Sequence, residues 1–383
     1  MMKMLLVVGA RLYGRGRGRR MMSTSTSTNP PNPWLMLPPT FDRRRGGMVY
    51  NFYSLADQEV VLINKYGPGA EPPEIPDDNA RVVGSSHGWL ALMNNRNNEL
   101  FLSNPITRRH IRLPPIQSLP DPVLNLHHVS GKATVSKLIL SAASPGSEEC
   151  RAMVSYGQDD RLAFCCPGHS QEWVPIGKPY MDEEDKTFKL VYPKSYDDFV
   201  YSSKSNVFSC LTKSEFHASG LEEWDLRDMD SPKLAWIQRQ NNSPLRPIDD
   251  EHLKEKHLAY VEQTDKLLLV TRFIHKHQHK THFFGTLEII KHNGWKSYRK
   301  CPSSDLALFL GTNHAFTISH FNPNSIYFTH HKQHHHQPDV GICHHDFTLS
   351  DCYYPLHRII TNTNTNTDTN TVTAPIWFTP TLT

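Results

Sequence analysis

The chain has 383 residues, with 41 Lys and Arg against 38 Asp and Glu, so its formal net charge is +3. This nearly equal number of basic and acidic residues argues against a protein that binds nucleic acid or a membrane surface through a basic face. No apolar run approaches the roughly 20 residues of a membrane-spanning helix. Aromatic residues make up 10% of the chain, which favours a packed fold over a disordered one. The seven Cys include the neighbours Cys165 and Cys166, a spacing that favours a reducing compartment over a disulfide framework.

The N-terminal segment has the composition of a targeting sequence. Residues 1–41 contain six Lys or Arg and no acid, and a Ser/Thr tract occupies Ser23–Thr28. This composition is typical of an organelle transit peptide. We therefore expect residues 1–30 to be a disordered leader that directs the protein to mitochondria, with plastids as the alternative. If the segment is instead a poorly constrained leader with initiation near Met21 or Met22, we expect the protein in the cytoplasm or nucleus.

Short strand-like runs fill the middle of the chain and are separated by Gly, Pro, Asn, Asp and Ser. The clearest group is Thr134–Gly177, where four such runs and three turns predict a four-stranded antiparallel meander. Groups of the same kind follow one another along the chain. They are the incomplete Pro33–Lys65, then Ala80–Pro115, Thr134–Gly177, Asp197–Gln240, His257–Lys300 and Leu306–Leu356.

A nearly constant period relates these groups. The bulky residues of successive fourth runs are Ile111, Trp173, Trp236, Trp295 and Tyr353, with spacings of 62, 63, 59 and 58 residues. Such a period predicts an all-β fold, a single β-propeller of four-stranded antiparallel blades. We expect six blades, with seven as the alternative count, and we expect the three Trp to pack between blades. Two independent β-sandwiches are a further alternative, although sandwiches need no constant period.

Both termini carry strands for an incomplete blade. Pro33–Pro38 (PWLMLP) precedes the first group, and Pro375–Leu382 (PIWFTPTL) follows the Thr/Asn-rich segment 361–371, which we expect to be a solvated tether. Only two further strands are available near Tyr50, so the N- and C-terminal strands are predicted to complete one blade together and to close the ring. The propeller proper is expected over residues 33–356, with the closing strand at 375–382.

Five long segments carry a resemblance to a known family. They are Val83–Leu92, Glu99–Ile116, Asp159–Gly177, Tyr196–Ser203 and Leu306–Ser319. In their order they resemble the plant KIB-type β-propeller family, an F-box-associated domain, and in particular its organelle-directed branch without an F-box. The resemblance implies a propeller and, where an F-box is present, a substrate receptor of an SCF-type ubiquitin ligase. No amphipathic helix precedes Met48 in this chain, which argues against binding of a Skp-type adaptor.

Catalytic and metal-binding motifs are absent from the sequence. There is no HExxH, GxSxG, GxGxxG in a strand–helix context or phosphate-binding loop, so we expect no enzyme activity, no cofactor and no metal site. Histidines at 275, 277, 279 and 282 and at 330, 331, 334, 335 and 336 form two clusters, which we interpret as solvated polar loops. Strand alternation at Cys165 and Cys166 predicts one buried and one exposed thiol.

The sequence therefore predicts a non-enzymatic propeller that binds an unknown protein partner, acting in an organelle. Two alternatives stay open: an SCF substrate receptor whose F-box is lost or degenerate, and a propeller enzyme or ligand-binding protein with a site in the central channel. The predicted surface consists of the loops that link blades, Gln117–Gly131, Lys178–Leu190, Asn241–Glu255 and Pro302–Asp305. The candidate interaction residues are Arg108, Arg109, His127 and His128.

Overall fold

The structure, a computed structural model, describes most of the chain between residues 32 and 381. The described residues are 32–42, 47–64, 80–94, 97–119, 135–177, 180–181, 191–192, 194–213, 220–239, 251–290, 294–298, 305–319, 321–330, 339–344, 346, 348–350 and 375–381. The predicted leader and the predicted tether lie outside them. No helix in these ranges is long and apolar enough to cross a membrane.

Consecutive strands form sheets, which we number as blades I to VI. Blade I begins with β1 (Trp34–Asp42), β2 (Gly47–Ser54) and β3 (Glu59–Asn64). Blade II contains β4 (Ala80–Ser86), β5 (Trp89–Asn94), β6 (Leu100–Asn104) and β7 (Arg109–Arg112), followed by a 3-10 turn at Ile116–Ser118. Blade III contains β8 (Val135–Leu140), β9 (Ala152–Tyr156), β10 (Arg161–Cys165) and β11 (Val174–Ile176).

A short hairpin and the remaining blades follow. The hairpin pairs β12 (Tyr180–Met181) with β13 (Val191–Tyr192). Blade IV contains β14 (Tyr196–Ser202), β15 (Val207–Thr212), β16 (Gly220–Asp225) and β17 (Lys233–Arg239). Blade V contains β18 (His252–Val261), β19 (Lys266–His275), β20 (Lys280–Ile290) and β21 (Gly294–Tyr298). Blade VI contains β22 (Leu306–Leu310), β23 (Phe316–Ser319), β24 (Ser325–His330), β25 (Asp339–Cys343) and β26 (Leu349–Ser350), and the last strand is β27 (Ile376–Phe378).

Local sequence explains where the strands reverse. Asn98, Asp160, Asn206 and Asp265 each have a φ between 50° and 59° and lie in turns between two strands. Asn and Asp tolerate this left-handed conformation better than most residues do. Between such turns, every residue of β5, β6 and β9 is buried. Both faces of a blade are covered by its neighbours, so these strands carry continuous rather than alternating apolar residues.

The two termini close the ring, as predicted. In blade I the strand order is β27-β1-β2-β3, so the C-terminal strand is its innermost strand. β27 pairs antiparallel with β1, with Leu35 opposite Trp377. Six clusters of buried side chains among the described residues join the blades in the pairs I–II, II–III, III–IV, IV–V, V–VI and VI–I. The all-β, six-bladed propeller with terminal closure is therefore confirmed.

Blade VI departs from the predicted four antiparallel strands. Its order is β23-β22-β24-β25-β26, and β22 runs parallel to β24. The segment after β22 turns back to form β23 on the channel side, so β24 pairs with the other edge of β22. The sequence pattern identified these strands, whereas their pairing order depends on contacts with the rest of the ring.

The residues that defined the period occupy corresponding places. Ile111, Trp236 and Trp295 lie on the fourth strands of blades II, IV and V, and Trp173 directly precedes that of blade III. Trp173 is buried between blades II and III, where its Nε1 donates to the carbonyl of Pro114 at 3.0 Å. Trp236 is half-buried against the cluster between blades IV and V. The side chain of Trp295 and all of Tyr353 lie outside the described structure.

Candidate functional site in the central channel

The inner strands of the blades surround a central channel. Around the ring, β27 contacts β4, β8 contacts both β4 and β14, and β18 contacts both β14 and blade VI. Side chains from these strands line two cavities, which we call the upper and lower chambers. The upper chamber has a volume of about 170 Å³ and is lined by blades III to VI. The lower chamber has a volume of about 140 Å³ and is lined by every blade except blade III.

A buried ion pair links three inner strands at the upper chamber. Lys137 Nζ of β8 lies 2.6 Å from Asp198 Oδ1 of β14, and both side chains are almost completely buried. The other carboxylate oxygen of Asp198 accepts a hydrogen bond of 2.8 Å from the backbone N–H of Leu258 in β18. Because each partner satisfies the other's charge, removing one alone would leave a buried charge unpaired. The contact therefore fixes blades III, IV and V relative to one another.

The other acidic residues of the upper chamber are also engaged. Asp197 pairs with Lys256 at 3.1 Å, and Asp160 lies 3.6 Å from Lys213 Nζ and accepts a hydrogen bond from Ser136 Oγ. Burial raises the pKa of Asp160, although the charge of Lys213 opposes the shift. These contacts again connect neighbouring blades.

His257 completes the polar lining of the upper chamber. Burial lowers its pKa below the ordinary value, while the charge of Asp198, whose Oδ2 is 3.9 Å from Nδ1, opposes the shift. The imidazole is therefore neutral at pH 7.

The lower chamber holds two imidazole rings that lack hydrogen-bond partners at one nitrogen. The ring centroids of His87 and His314 are 5.3 Å apart, and the Nε2 atom of each is buried and unpaired. Burial lowers the pKa of His87, opposed by the carbonyl of Leu140. Burial and then the neighbouring His87 lower the pKa of His314 further. Both rings are thus neutral at pH 7.

A loop of blade VI divides the channel. Gly311 and Thr312 line the upper chamber, whereas His314 and Ala315 line the lower one. The backbone N–H of His314 donates to the carbonyl of Ser85 in β4 at 2.7 Å, which anchors the loop to blade II across the channel. We call residues 311–315 the plug loop.

The backbone at His87 is held in an uncommon conformation. Its φ is +51° and that of Gly88 is +80°, a combination that forms the tight turn between β4 and β5. Thr381, just beyond β27, donates its Oγ1 proton to the carbonyl of His87 at 3.0 Å. A Cβ at Gly88 would collide with the Thr381 side chain, so this position requires glycine. The C-terminal segment therefore helps to position His87.

Comparison with known families decides which kind of propeller this is. The family model described as KIB1-4 beta-propeller matches residues 52–349. The chain belongs to the KIB1-4 β-propeller family. The resemblance seen in the sequence is confirmed at the level of the family. No curated protein matches the chain.

Several solved structures are similar to this KIB1-4 propeller at low sequence identity. The Cps50 (Swd1) β-propeller domain of Myceliophteria thermophila is 9% identical, with a TM-score of 0.38, and the alignment covers 83% of this chain and 86% of that one. A chain of a nidogen–laminin complex is 9% identical, with a TM-score of 0.37 and coverages of 85% and 95%. AofleA from Arthrobotrys oligospora is 9% identical, with a TM-score of 0.33 and coverages of 78% and 72%.

The described structure contains two of the four predicted interaction residues. Arg108 lies in the exposed turn between β6 and β7 and Arg109 begins β7, whereas His127 and His128 lie outside the described residues. The Arg109 guanidinium is 5.9 Å from the ring centroid of Trp89, which directly follows the His87–Gly88 turn. The arginine pair is therefore at the lower-chamber end of the KIB1-4 propeller.

The described ends of the loops that link blades lie mainly at the opposite end. The residues that line the upper chamber are at the start of β8 and β14, and in β18 His257 of the upper chamber precedes Tyr260 of the lower one. These strands therefore start on the upper side. Pro302–Asp305 does not fit this pattern. β22 ends at the upper chamber with Gly311, so Asp305 at its start lies towards the other end. The reason is the reversed direction of β22, which the sequence did not predict.

Two other sequence interpretations need correction. His275 ends β19 and His282 lies in β20, so the first histidine cluster belongs to a tight hairpin rather than a long loop. Of the second cluster, His331, His334, His335 and His336 lie outside the described residues. In the part of the chain that the structure describes, no group of three or more His, Cys, Asp or Glu is arranged to hold a metal ion.

The expected exposure of one of the adjacent thiols was also wrong. Cys165 and Cys166 are both buried. Cys166 directly follows β10, and its Sγ lies against the carbonyls of Ser147 and Glu148 in the loop between β8 and β9. Burial raises the pKa of both thiols, most strongly that of Cys165. Neither has the lowered pKa of a reactive cysteine.

Two other buried charged side chains, Arg272 and Glu222, are also paired. Arg272 contacts Glu255 at 2.8 Å and Asp339 at 2.6 Å, which ties blade V to blade VI. Glu222 is fully buried and accepts hydrogen bonds from Tyr196 and Lys194 in blade IV. Sequence reasoning missed these residues and the channel group around Lys137. The available signal was a charge inside an apolar strand, as at Lys137 in VSKLIL and Asp198 in YDDFVYS.

Proposed function

We propose that this KIB1-4 propeller is a non-enzymatic protein-interaction module that acts in an organelle, with mitochondria as the first candidate and plastids as the second. One observation carries the proposal: each carboxylate that lines the upper chamber is held by a cation of its own or a neighbouring blade. Asp160, Asp197 and Asp198 therefore act as links within a rigid ring. A general acid or base needs a group that is available to a substrate.

The size of the chambers supports the same proposal. Small-molecule sites usually have volumes of about 300–1,000 Å³. The two chambers, at about 170 and 140 Å³, are smaller. A surface built from loops on a rigid scaffold is the usual alternative to a deep pocket.

We assign the interaction surface to the upper face, where the described ends of most loops that link blades lie. The described ends of these loops, Gln117 and Glu251, are exposed. Lys204 and Glu148 are exposed in the turns that follow β14 and β8, at the opposite face, and provide matched controls.

Site-specific photo-cross-linking tests this assignment. A photoreactive amino acid is placed at Gln117, Glu251, Lys204 or Glu148 of the full chain in living cells, and the adducts are identified by mass spectrometry. We expect one and the same protein to be captured at Gln117 and Glu251 and not at the two control positions. Equal capture at both faces would contradict the surface. Capture of a Skp-type adaptor would replace the proposal with the ubiquitin-ligase alternative.

The composition of residues 1–41 supports the organelle part of the proposal. Fusing these residues to a fluorescent protein tests it separately. Import of the fusion into mitochondria or plastids is the expected result. A fusion in which the six cations are replaced by Gln is the control, and diffuse fluorescence of both fusions would remove the organelle from the proposal.

A further inference from the structure

We propose that the lower chamber binds a small cationic group, either a guanidinium or an alkylammonium. The chamber lies at the other end of the channel from the proposed interaction surface. The two proposals can therefore be tested independently of each other. Four features of the lining support a cation as the ligand.

The first feature is the charge of the lining. Glu262 supplies a carboxylate, and no Lys or Arg is among the described residues that line the chamber. Its carboxylate accepts hydrogen bonds from Ser203 Oγ at 2.7 Å and Ser203 N at 3.3 Å, which leaves acceptor capacity on both oxygens. Gln263 adds an amide oxygen, which accepts from Thr317 Oγ1. Glu262 and Gln263 are exposed, so a ligand can reach them from solvent.

The second feature is the pair of imidazoles at the inner end. Burial keeps His87 and His314 neutral, so they add no positive charge that would repel a cation. A neutral imidazole can accept a hydrogen bond. The unpaired Nε2 atoms are buried, and a buried polar atom without a partner is unfavourable until a ligand supplies one. Lys137, whose charge reaches His314, lines the upper chamber instead and is neutralised by Asp198.

The third feature is aromatic, and the fourth is size. Tyr201, Tyr260 and Phe316 contribute rings to the lining, and aromatic faces attract cations. A volume of about 140 Å³ corresponds to only a few water molecules, at roughly 30 Å³ each. The chamber is large enough for a guanidinium or ammonium head group, and the rest of the ligand would lie outside the chamber. The plug loop closes the inner end.

Isothermal titration calorimetry of the full chain tests the site with matched ligands. Agmatine and an acetylated Gly-Arg-Gly amide carry a guanidinium, and an acetylated Gly-citrulline-Gly amide has nearly the same shape without the charge. We expect at least one guanidinium ligand to bind at least about tenfold more tightly than the citrulline peptide, as charge-assisted hydrogen bonds require. If agmatine binds and the arginine peptide does not, the ligand is a free small-molecule cation. If the arginine peptide binds, the ligand is an arginine side chain of a protein.

Variants place the binding in the chamber. Glu262→Gln keeps the shape and removes the charge, and His87→Asn keeps a side chain that tolerates the positive φ of this position. We expect losses of affinity of about tenfold or more for Glu262→Gln and about threefold or more for His87→Asn. Glu288→Gln, which removes a carboxylate paired with Lys266 outside the chamber, should leave affinity unchanged. Thermal unfolding shows that each variant is folded.

Three results would overturn the proposal. They are affinities of agmatine and of the arginine peptide that both equal the affinity of the citrulline peptide, unchanged affinity in Glu262→Gln, and binding of inorganic phosphate or zinc at this chamber in place of the guanidinium ligands. The photo-cross-linking result at the upper face would be unaffected by any of them.

Discussion

Trp377 offers a direct test of ring closure by the C-terminal strand. The side chain is fully buried between blades VI and I. Its ring meets those of Phe309 and Tyr327 edge to face, at centroid distances of 5.2 and 5.8 Å. Replacing it with Ala removes the largest side chain of β27 and leaves a cavity between two blades. The closing strand then loses much of the contact that holds it in the ring.

The expected cost follows from the burial of the ring. A buried Trp→Ala substitution destabilises a protein by about 3–5 kcal/mol, which is a large part of a typical total stability of about 5–15 kcal/mol. Trp377 Nε1 is buried without a hydrogen-bond partner, so a replacement that lacks this N–H recovers a desolvation cost of about 1–3 kcal/mol. Trp377→Phe should therefore cost less than about 2 kcal/mol. Leu62→Ala is the control, because Leu62 is 66% exposed and its loss should change stability by less than about 0.5 kcal/mol.

Urea denaturation followed by far-UV circular dichroism measures the three free energies of unfolding. We expect the loss of stability to be largest for Trp377→Ala, smaller for Trp377→Phe and smallest for Leu62→Ala. A midpoint for Trp377→Ala that equals that of Leu62→Ala would refute the view that β27 holds the ring closed. A decrease in the free energy of unfolding for Trp377→Phe as large as that for Trp377→Ala would show that the unpaired N–H does not cost the stability assigned to it.

Three further predictions concern the channel, a contact between blades and the thiols. Burial lowers the pKa of three channel histidines, His87, His257 and His314, so the unfolded chain takes up protons first as the pH falls. Their contribution to stability is therefore complete above about pH 6.5 and is lost as the pH falls below that value. The loss is at most about 1.4 kcal/mol per pH unit for each histidine. Thermal unfolding between pH 7.5 and 5 measures it. Gly84→Ala should destabilise the protein by more than about 2 kcal/mol in the same urea assay, because its Cβ would collide with the Leu138 carbonyl of the next blade. Gly146→Ala is the control and should be tolerated, because the nearest atom to its Cβ would be 4.0 Å away. The five described cysteines are buried. After Cys301 and Cys352 are replaced by Ser, Ellman's reagent should react with the five remaining thiols only on unfolding, and prompt reaction of the native protein would contradict their burial.

The fold was predictable because the largest side chains recur at a nearly constant spacing along the chain. Each blade needs a bulky residue near its outer strand to cover its neighbour, and Trp173 and Trp236 meet that need at a spacing of 63 residues. The closing strands were predictable because Trp34 and Trp377 lie in short apolar runs and the group near Tyr50 has only two strands of its own. The pairing of β22 with β24 was not predictable, since it depends on where the plug loop crosses the channel.

The site was less accessible to sequence reasoning than the fold. Lys137, Asp198 and His257 are about 60 residues apart along the chain and meet because corresponding positions of successive inner strands face one axis. The sequence shows each as an isolated charge or imidazole in a strand. The His87–His314 pair is harder still, because one partner belongs to a hairpin turn and the other to a loop of an irregular blade.

Pairing of β27 with β1 also determines when the ring can form during synthesis. The first three strands of blade I leave the ribosome before any other blade, yet the strand that completes their sheet is translated after blade VI. Until then the inner edge of β1 has no partner, and an unpaired strand edge is prone to aggregation. Ring closure therefore cannot precede the synthesis of blade VI. A chain that ends prematurely, even after blade VI, leaves that edge open, which gives the cell's quality-control proteases and chaperones a physical difference between complete and incomplete products.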